Sequence, residues 1–146
     1  MKINIVENKV LSLIMQDLPD DDDFALDKKG SEDSGKVRSK FSIKLDFEEN
    51  HFFVTFDLKM LTSDGQGMQV KYKSKFVTDS AIDEEFMSSN FPYVNAPAIS
   101  YPFLRAFVSN LTLNAGYSPV MLPSVNFVAL KEKTLKSNKQ AIKKSQ

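Results

Sequence analysis

The sequence contains no cysteine, no tryptophan and only one histidine among its 146 residues. Without cysteine the chain can form neither disulfides nor thiolate metal sites, and the lone His51 has no second histidine with which to share a zinc ion. The four aspartates from Asp20 to Asp23 lack the alternating ligands and the turn glycine of a calcium-binding loop. The sequence therefore predicts no metal site and no cofactor.

Charge of one sign and long apolar runs are also lacking. Nineteen basic residues balance nineteen acidic ones, so no overall field favours binding to nucleic acid or to a phospholipid surface. No apolar run approaches the length of about eighteen residues that a transmembrane helix needs, and the N-terminus does not resemble a signal peptide. We therefore expect a cytoplasmic protein. A glycine-rich phosphate loop and a nucleophile elbow are missing too, so we do not expect an enzyme.

The clearest positive signal is an alternation of apolar and polar residues, which is typical of strands with one buried face. It occurs in three segments, with apolar residues at Phe41, Ile43, Leu45 and Phe47, at Phe52, Val54, Phe56, Leu58 and Met60, and at Met68, Val70, Tyr72 and Phe76. The short links between these segments favour an antiparallel meander. The first sixteen residues predict either one bent strand or two short pieces, so the sheet is expected to have four strands.

Two connections flank this sheet in different ways. Residues 17–36 include the aspartate run together with glycines and serines, which predicts a solvated, mobile acidic loop. After the sheet, Ser100 is a plausible N-cap, Pro102 is tolerable in a first helical turn, and Gly116 is a natural stop. We therefore expect a long helix from about residue 100 to about residue 115.

This helix carries two apolar stripes. Leu104, Val108 and Leu111 form one, and Phe103 and Phe107 form a second beside it. A surface helix normally has a single apolar stripe facing the core. We therefore predict that Phe103, Phe107 and Leu111 lie in an interface between subunits of a homo-oligomer.

The segment after Gly116 is also unusual, because it is rich in apolar residues although Pro119 and Pro123 interrupt regular structure. Loops are usually polar, since they run over the surface in water. An apolar loop stiffened by proline must either pack on the domain or line a binding groove. The twelve phenylalanines and six methionines of the chain would suit such a groove, and open strand edges could add hydrogen bonds to an extended ligand.

The segment from Ala98 to Phe127 resembles the long helix and the helix-connecting loop of the export chaperone SecB. The matching positions are Tyr101, Pro102, Phe103 and Arg105 at the start, Tyr117 and Leu122 in the loop, and Val125, Asn126 and Phe127 at its end. The resemblance implies an α+β fold, in which a four-stranded antiparallel sheet packs beside one long helix and an apolar connecting loop covers a hydrophobic groove. It implies client binding by the loop residues Tyr117, Val120, Met121, Leu122, Val125 and Phe127.

The resemblance also implies a function, an ATP-independent holdase that binds unfolded polypeptides or preproteins in protein export. Two alternatives are a dedicated chaperone of a toxin–antitoxin system, with an antitoxin as its client, and a regulatory protein that binds one folded partner. A homo-oligomer, either a dimer or a dimer of dimers, is expected in each case, without membrane insertion.

The C-terminal segment departs from this family. Export chaperones of this type engage the translocase motor SecA through an acidic tail, whereas residues 131–146 here contain six lysines and a single acid, Glu132. The resemblance thus implies SecA as a partner, but this segment lacks the acidic residues for that contact. We divide the chain into a domain at residues 1–130 and a lysine-rich tail at 131–146, either a short helix or disordered.

Overall fold

The computed structural model describes the backbone of residues 1–17, 32–33 and 38–144, and the side chains of residues 1–17 and 39–135. The strands in this part are β1 (Ile3–Asp17), β2 (Glu32–Asp33), β3 (Arg38–Phe47), β4 (His51–Leu61) and β5 (Gln66–Thr78). The helices are α1 (Glu84–Met87), α2 (Ala96–Asn114) and α3 (Phe127–Lys144), and a π-helical turn at Phe91–Asn95 leads directly into α2. Most of the acidic loop predicted at residues 17–36 lies outside the described residues.

The strands form one antiparallel sheet in the order β1-β5-β4-β3-β2. The predicted α+β architecture of four antiparallel strands beside a long helix is confirmed, and the two-residue β2 adds to one edge. Strand β1 is continuous, but its register against β5 shifts between Ile5 and Glu7 and again between Val10 and Ser12. Such shifts interrupt the alternation of side chains between the two faces of a strand. They explain why the sequence alone left one bent strand and two short pieces as alternatives.

One face of the sheet forms the core together with α2. In β4 every second residue from Phe52 to Met60 is buried, and the intervening residues are only partly covered. Leu104 and Val108 of α2 are fully buried in the same cluster, and α2 contacts β1, β4 and β5. Phe53, an apolar residue on the opposite face, lies beneath Lys73, whose Nζ is 4.0 Å from the ring centroid.

Helix α2 begins earlier than the sequence predicted. It starts at Ala96 with Pro97 in its first turn, so Pro102 is inside the helix and Ser100 is not its N-cap. Ser100 is instead fully buried, and its hydroxyl donates to the carbonyl oxygen of Pro97 at 3.4 Å. The prediction was wrong because the preceding π-helical turn already winds the chain, so no capping side chain is needed where α2 starts.

The predicted end of α2 is confirmed at Gly116. The amide of Gly116 donates to the carbonyl oxygen of Leu113 at 3.1 Å, and the amide of Tyr117 donates to that of Thr112 at 3.0 Å. This pair of bonds is a Schellman motif, and it requires a left-handed residue at Gly116, where φ is 97°. The motif turns the chain from α2 into the connecting loop.

Replacing Gly116 with alanine is expected to lower the free energy of unfolding by about 1 kcal/mol, because alanine resists a positive φ. A Cβ at this position would meet no atom within 4 Å, so the cost comes from the backbone alone. Asparagine tolerates the left-handed region better and should cost less. Urea denaturation of Gly116→Ala and Gly116→Asn checks this order, and equal stability of both variants with the wild type would contradict it.

Helix α3 follows the connecting loop and continues through the boundary predicted at residue 130. It extends from Phe127 to Lys144 and thus includes most of the lysine-rich segment. The division of the chain at residue 130 remains a prediction. No helix in the described ranges is both long and apolar enough to cross a membrane.

Candidate peptide-binding groove

The loop between α2 and α3, residues 115–126, is held on the domain by two side chains of α2. The Thr112 hydroxyl, which is fully buried, accepts a hydrogen bond from the Val120 amide at 2.9 Å and donates one to the carbonyl oxygen of Val108 at 2.9 Å. The Tyr101 hydroxyl donates to the carbonyl oxygen of Pro123 at 2.6 Å. These bonds satisfy two backbone groups of the loop, the Val120 amide and the Pro123 carbonyl oxygen, because the loop forms no helix or strand of its own. The loop therefore has a defined path over the sheet.

Because of this path, the six residues predicted to bind clients differ in exposure. Val120, Leu122 and Phe127 are buried and belong to the core cluster, whereas Met121 is 71% exposed. Tyr117 and Val125 are partly buried. The loop thus both packs on the domain and presents a surface. Among the six predicted residues, the accessible ones are Met121, Val125 and Tyr117.

A cavity of about 270 Å³ lies beneath the end of this loop, between β3 and the start of α3. Its apolar lining comes from Phe41, Leu58, Tyr101, Leu122, Pro123, Val125, Ala129 and Leu130. Phe41 stacks on Phe56 with ring centroids 5.3 Å apart, and Tyr101 contacts both rings edge-on. The aromatic cluster makes this end of the site rigid, since each ring is fixed by its neighbours.

A second cavity of about 270 Å³ follows along the same strand. Ile43, Leu45 and Phe47 of β3 form its floor, and Tyr93, Leu130 and Thr134 border it. Leu130 lines both cavities, so they lie in succession along β3 with α3 beside them. We call the two cavities and the adjoining edge of β3 the β3 groove.

The edge of β3 is largely open in the described part of the chain. Strand β2 pairs with β3 only at Arg38 and Ser39, so residues 40–47 have a strand partner on one side only, β4. An unpaired strand edge presents backbone donors and acceptors that can pair with another extended chain. The β3 groove thus combines main-chain hydrogen-bonding groups with apolar cavities.

Lysines border the groove. Lys133 lines the first cavity, and Lys44 and Lys131 line the second. The Lys131 Nζ donates to the Asn90 side-chain oxygen at 2.8 Å and lies 5.2 Å from the centroid of the Tyr93 ring. This contact joins α3 to the segment before α2 and so helps to fix the wall of the groove.

Sequence reasoning missed the contribution of β3 to this site. Phe41, Ile43, Leu45 and Phe47 were interpreted as core residues, yet all four are only partly buried and line the cavities. Their alternation has the same pattern as that of the buried residues in β4, so no local signal distinguishes the two strands. Only the position of β3 near the sheet edge separates them.

The residues predicted at an oligomer interface differ in exposure. Phe103 is 47% exposed, whereas Phe107 and Leu111 are partly buried. The Phe107 ring lies 6.1 Å from that of Tyr72, and burial raises the pKa of the Tyr72 phenol. Other exposed apolar side chains of α2 and β1 are Ile99, Leu113, Val6, Leu11, Leu13 and Ile14. The exposure of Phe103 is compatible with the predicted interface, which stays a prediction.

The sequence of residues 33–138 matches the model of the family described as preprotein translocase subunit SecB. The chain belongs to the SecB family. The resemblance found in the segment from Ala98 to Phe127 is thereby confirmed, and it extends into the sheet, where the sequence had suggested it through topology alone.

Curated SecB proteins are recognisably similar to this chain. The protein-export protein SecB of Magnetococcus marinus is 26% identical over 91 residues, which cover 57% of this chain and 55% of the relative. The SecB of Anaplasma phagocytophilum is 34% identical over 73 residues, which cover 48% of this chain and 45% of the relative. The SecB of Ruegeria pomeroyi is 24% identical over 138 residues, which cover 86% of this chain and 79% of the relative. The chain thus spans about half the length of the first two SecB relatives.

A solved structure supports the same fold. The SecB-like chaperone of Mycobacterium tuberculosis, solved in complex with a peptide of the HigA1 antitoxin, superposes with a TM-score of 0.61. The two sequences are 14% identical, and the match covers 85% of this chain and 88% of the other. At this identity the likeness establishes the SecB-like fold.

Proposed function

We propose that this SecB-family chain is an ATP-independent chaperone that holds unfolded polypeptides or preproteins in the β3 groove during protein export in the cytoplasm. The observation that carries this proposal is the apolar groove beside the edge of β3, where no strand of the described ranges pairs with residues 40–47 on the side away from β4. An extended client can bond its main chain to the edge whatever its sequence, and it can place alternate side chains in the cavities. Such binding is broad because the backbone contributes much of it.

The family supports an export role, since its curated members are named protein-export proteins. A holdase should suppress the aggregation of several unrelated denatured proteins without nucleotide, which light scattering measures directly. Binding of a single folded partner, with no effect on denatured proteins, would instead indicate a regulatory binding protein and contradict the proposal.

Assembly is a second part of the proposal. We place Phe103, Phe107 and Leu111 in an interface that forms a dimer, or a dimer of dimers, because a helix with an exposed apolar stripe is stabilised when a second subunit covers it. Of the loop residues, Val125 lines the first cavity, whereas Met121 and Tyr117 line neither cavity and would touch a client that extends beyond the β3 groove.

A narrower client is the second candidate, a dedicated chaperone of an antitoxin. It is favoured by the Mycobacterium tuberculosis structure, in which a chaperone of the same fold holds an antitoxin peptide. The two functions differ in selectivity, because a dedicated chaperone should bind one peptide much more tightly than unrelated unfolded chains. Competition between an antitoxin peptide and a denatured protein for the groove separates them.

Filling the groove should block client binding. Ala129 lines the first cavity and is exposed, so Ala129→Trp would occupy that cavity without removing a buried side chain. We expect the Kd for a permanently unfolded, alkylated protein to rise at least about tenfold, the cost of losing roughly 1.4 kcal/mol of apolar contact.

The matched control is Val128→Trp, at the residue that precedes Ala129 in the same helix. Val128 is 53% exposed and lines neither cavity, so this variant adds the same ring outside the groove. Its client affinity should equal that of the wild type. Equal affinities for all three proteins would show that clients bind elsewhere.

A further inference from the structure

The face of the sheet opposite α2 is strongly basic. Among residues whose side chains the structure describes, the pairing register places seven lysines here, Lys9, Lys40, Lys44, Lys59, Lys71, Lys73 and Lys75, and three carboxylates, Glu7, Asp46 and Asp57. The backbone positions of Arg38 and Asp33 are on the same side of the sheet. We call these residues the basic face. Because the whole chain has no net charge, this concentration of lysine is a property of the fold rather than of the composition.

The lysines of the basic face are poorly neutralised. Among the described residues the ion pair on this face joins Lys44 to Asp46, with 3.7 Å between Nζ and Oδ1. Asp57 is in the middle of β4, directly between Ser42 and Lys71, yet its Oδ1 is buried without a hydrogen-bond partner and neutralises no lysine within 4 Å. Several ammonium groups therefore repel one another, and an anion of matching geometry would relieve this repulsion.

The spacing of the lysines indicates which anion fits. Lys71, Lys73 and Lys75 are alternate residues of β5, so their attachment points repeat at about 6.6 Å along the strand. Side chains on one face of any extended polypeptide repeat at the same distance. We propose that the basic face docks an extended, acidic polypeptide segment of a partner protein, with its carboxylates above the lysine rows.

Nucleic acid fits this face less well. Lysine rather than arginine supplies all but one of the basic positions of the face, and lysine does not make the bidentate contacts to phosphate that arginine makes. Lys73 lies over the ring of Phe53, which also makes a T-shaped contact with His51, so less of this ring is available for base stacking. The three carboxylates would also repel a continuous line of phosphates, whereas polypeptide carboxylates can be placed to avoid them.

Lys44 belongs to the basic face and also borders the second cavity, whereas Lys59 and Lys71 line neither cavity of the β3 groove. Binding measured through Lys59 and Lys71 therefore does not depend on the proposed function. The test uses the full chain and a fluorescent peptide of alternating glutamate and serine, with its glutamine counterpart and a single-stranded oligonucleotide as competitors. Fluorescence anisotropy should show binding of the glutamate peptide that weakens with added salt. Lys59→Gln with Lys71→Gln should raise its Kd about tenfold, which corresponds to about 1.4 kcal/mol shared between two lost charge pairs.

The matched control is Lys2→Gln with Lys143→Gln, which removes two charges from outside the basic face and outside the lining of both cavities, and it should leave the Kd unchanged. Lys59→Glu with Lys71→Glu should in turn bind a peptide of alternating lysine and serine better than the wild type does. Equal effects of the test and control pairs would overturn the proposal, because the attraction would then be nonspecific. Absence of binding, or tighter binding of the oligonucleotide, would overturn it as well.

Discussion

Replacing Leu122 with serine should lower the free energy of unfolding by about 4 kcal/mol, although the residue is in a loop. Leu122 is 2% exposed and belongs to the core cluster under the loop. Truncating a buried leucine costs about 2 to 5 kcal/mol, and the serine hydroxyl adds an unpaired polar group. Urea denaturation measures the change through a lower midpoint at a similar slope.

The neighbouring Met121→Ser is the control, and it separates packing from binding. Met121 is 71% exposed, so its truncation should change the stability by no more than about 0.5 kcal/mol. If the loop contacts clients, the same variant should weaken client binding. A stability loss as large as that of Leu122→Ser would contradict the exposure of Met121 between the buried residues Val120 and Leu122. Unchanged client affinity would remove Met121 from the proposed binding surface.

Replacing Phe103 with aspartate should shift the protein to smaller species. In one subunit Phe103 is 47% exposed, so the substitution leaves the core intact. In an assembly that covers α2, the aspartate would be buried without a partner, which would weaken the free energy of association by about 3 kcal/mol. Multi-angle light scattering at micromolar concentration measures the change in mass.

Met121→Asp is the control for this experiment, since it places the same charge on an exposed apolar site outside the proposed interface. It should keep the mass of the wild type. A wild-type protein that is already monomeric under these conditions would sink the interface proposal. Thermal denaturation of Phe103→Asp at low concentration distinguishes dissociation from unfolding, because a dissociated subunit retains its own core and still unfolds cooperatively.

Much of the fold could be predicted from local patterns. The alternation in β4 and β5 determined which face is buried, because side chains of a strand point to opposite sides with period two. Gly116 determined the end of α2, since few other residues adopt its backbone conformation readily. The start of α2 could not be predicted in this way, because the winding that precedes Ala96 is a π-helical turn without a capping side chain.

The candidate site was only partly predictable. The apolar loop after Gly116 marked the region, but exposure within it depends on hydrogen bonds from Thr112 and Tyr101, which are distant in sequence from their loop partners. The groove floor on β3 was missed because its alternation is the same as that of a central strand. The basic face also depends on residues that are distant in sequence, because lysines from four strands lie on one face of a chain with no net charge.

The sequence by itself determined the family, the strand faces and the end of the long helix, because each of these depends on residues near one another in the chain. Tertiary structure alone decided which apolar residues are covered and which remain open. Burial depends on what packs against a strand or loop from elsewhere: β4 lies between two strands and under α2, whereas β3 lies near the edge beside α3. Two strands with the same pattern therefore have different roles, one in the core and one in the proposed groove.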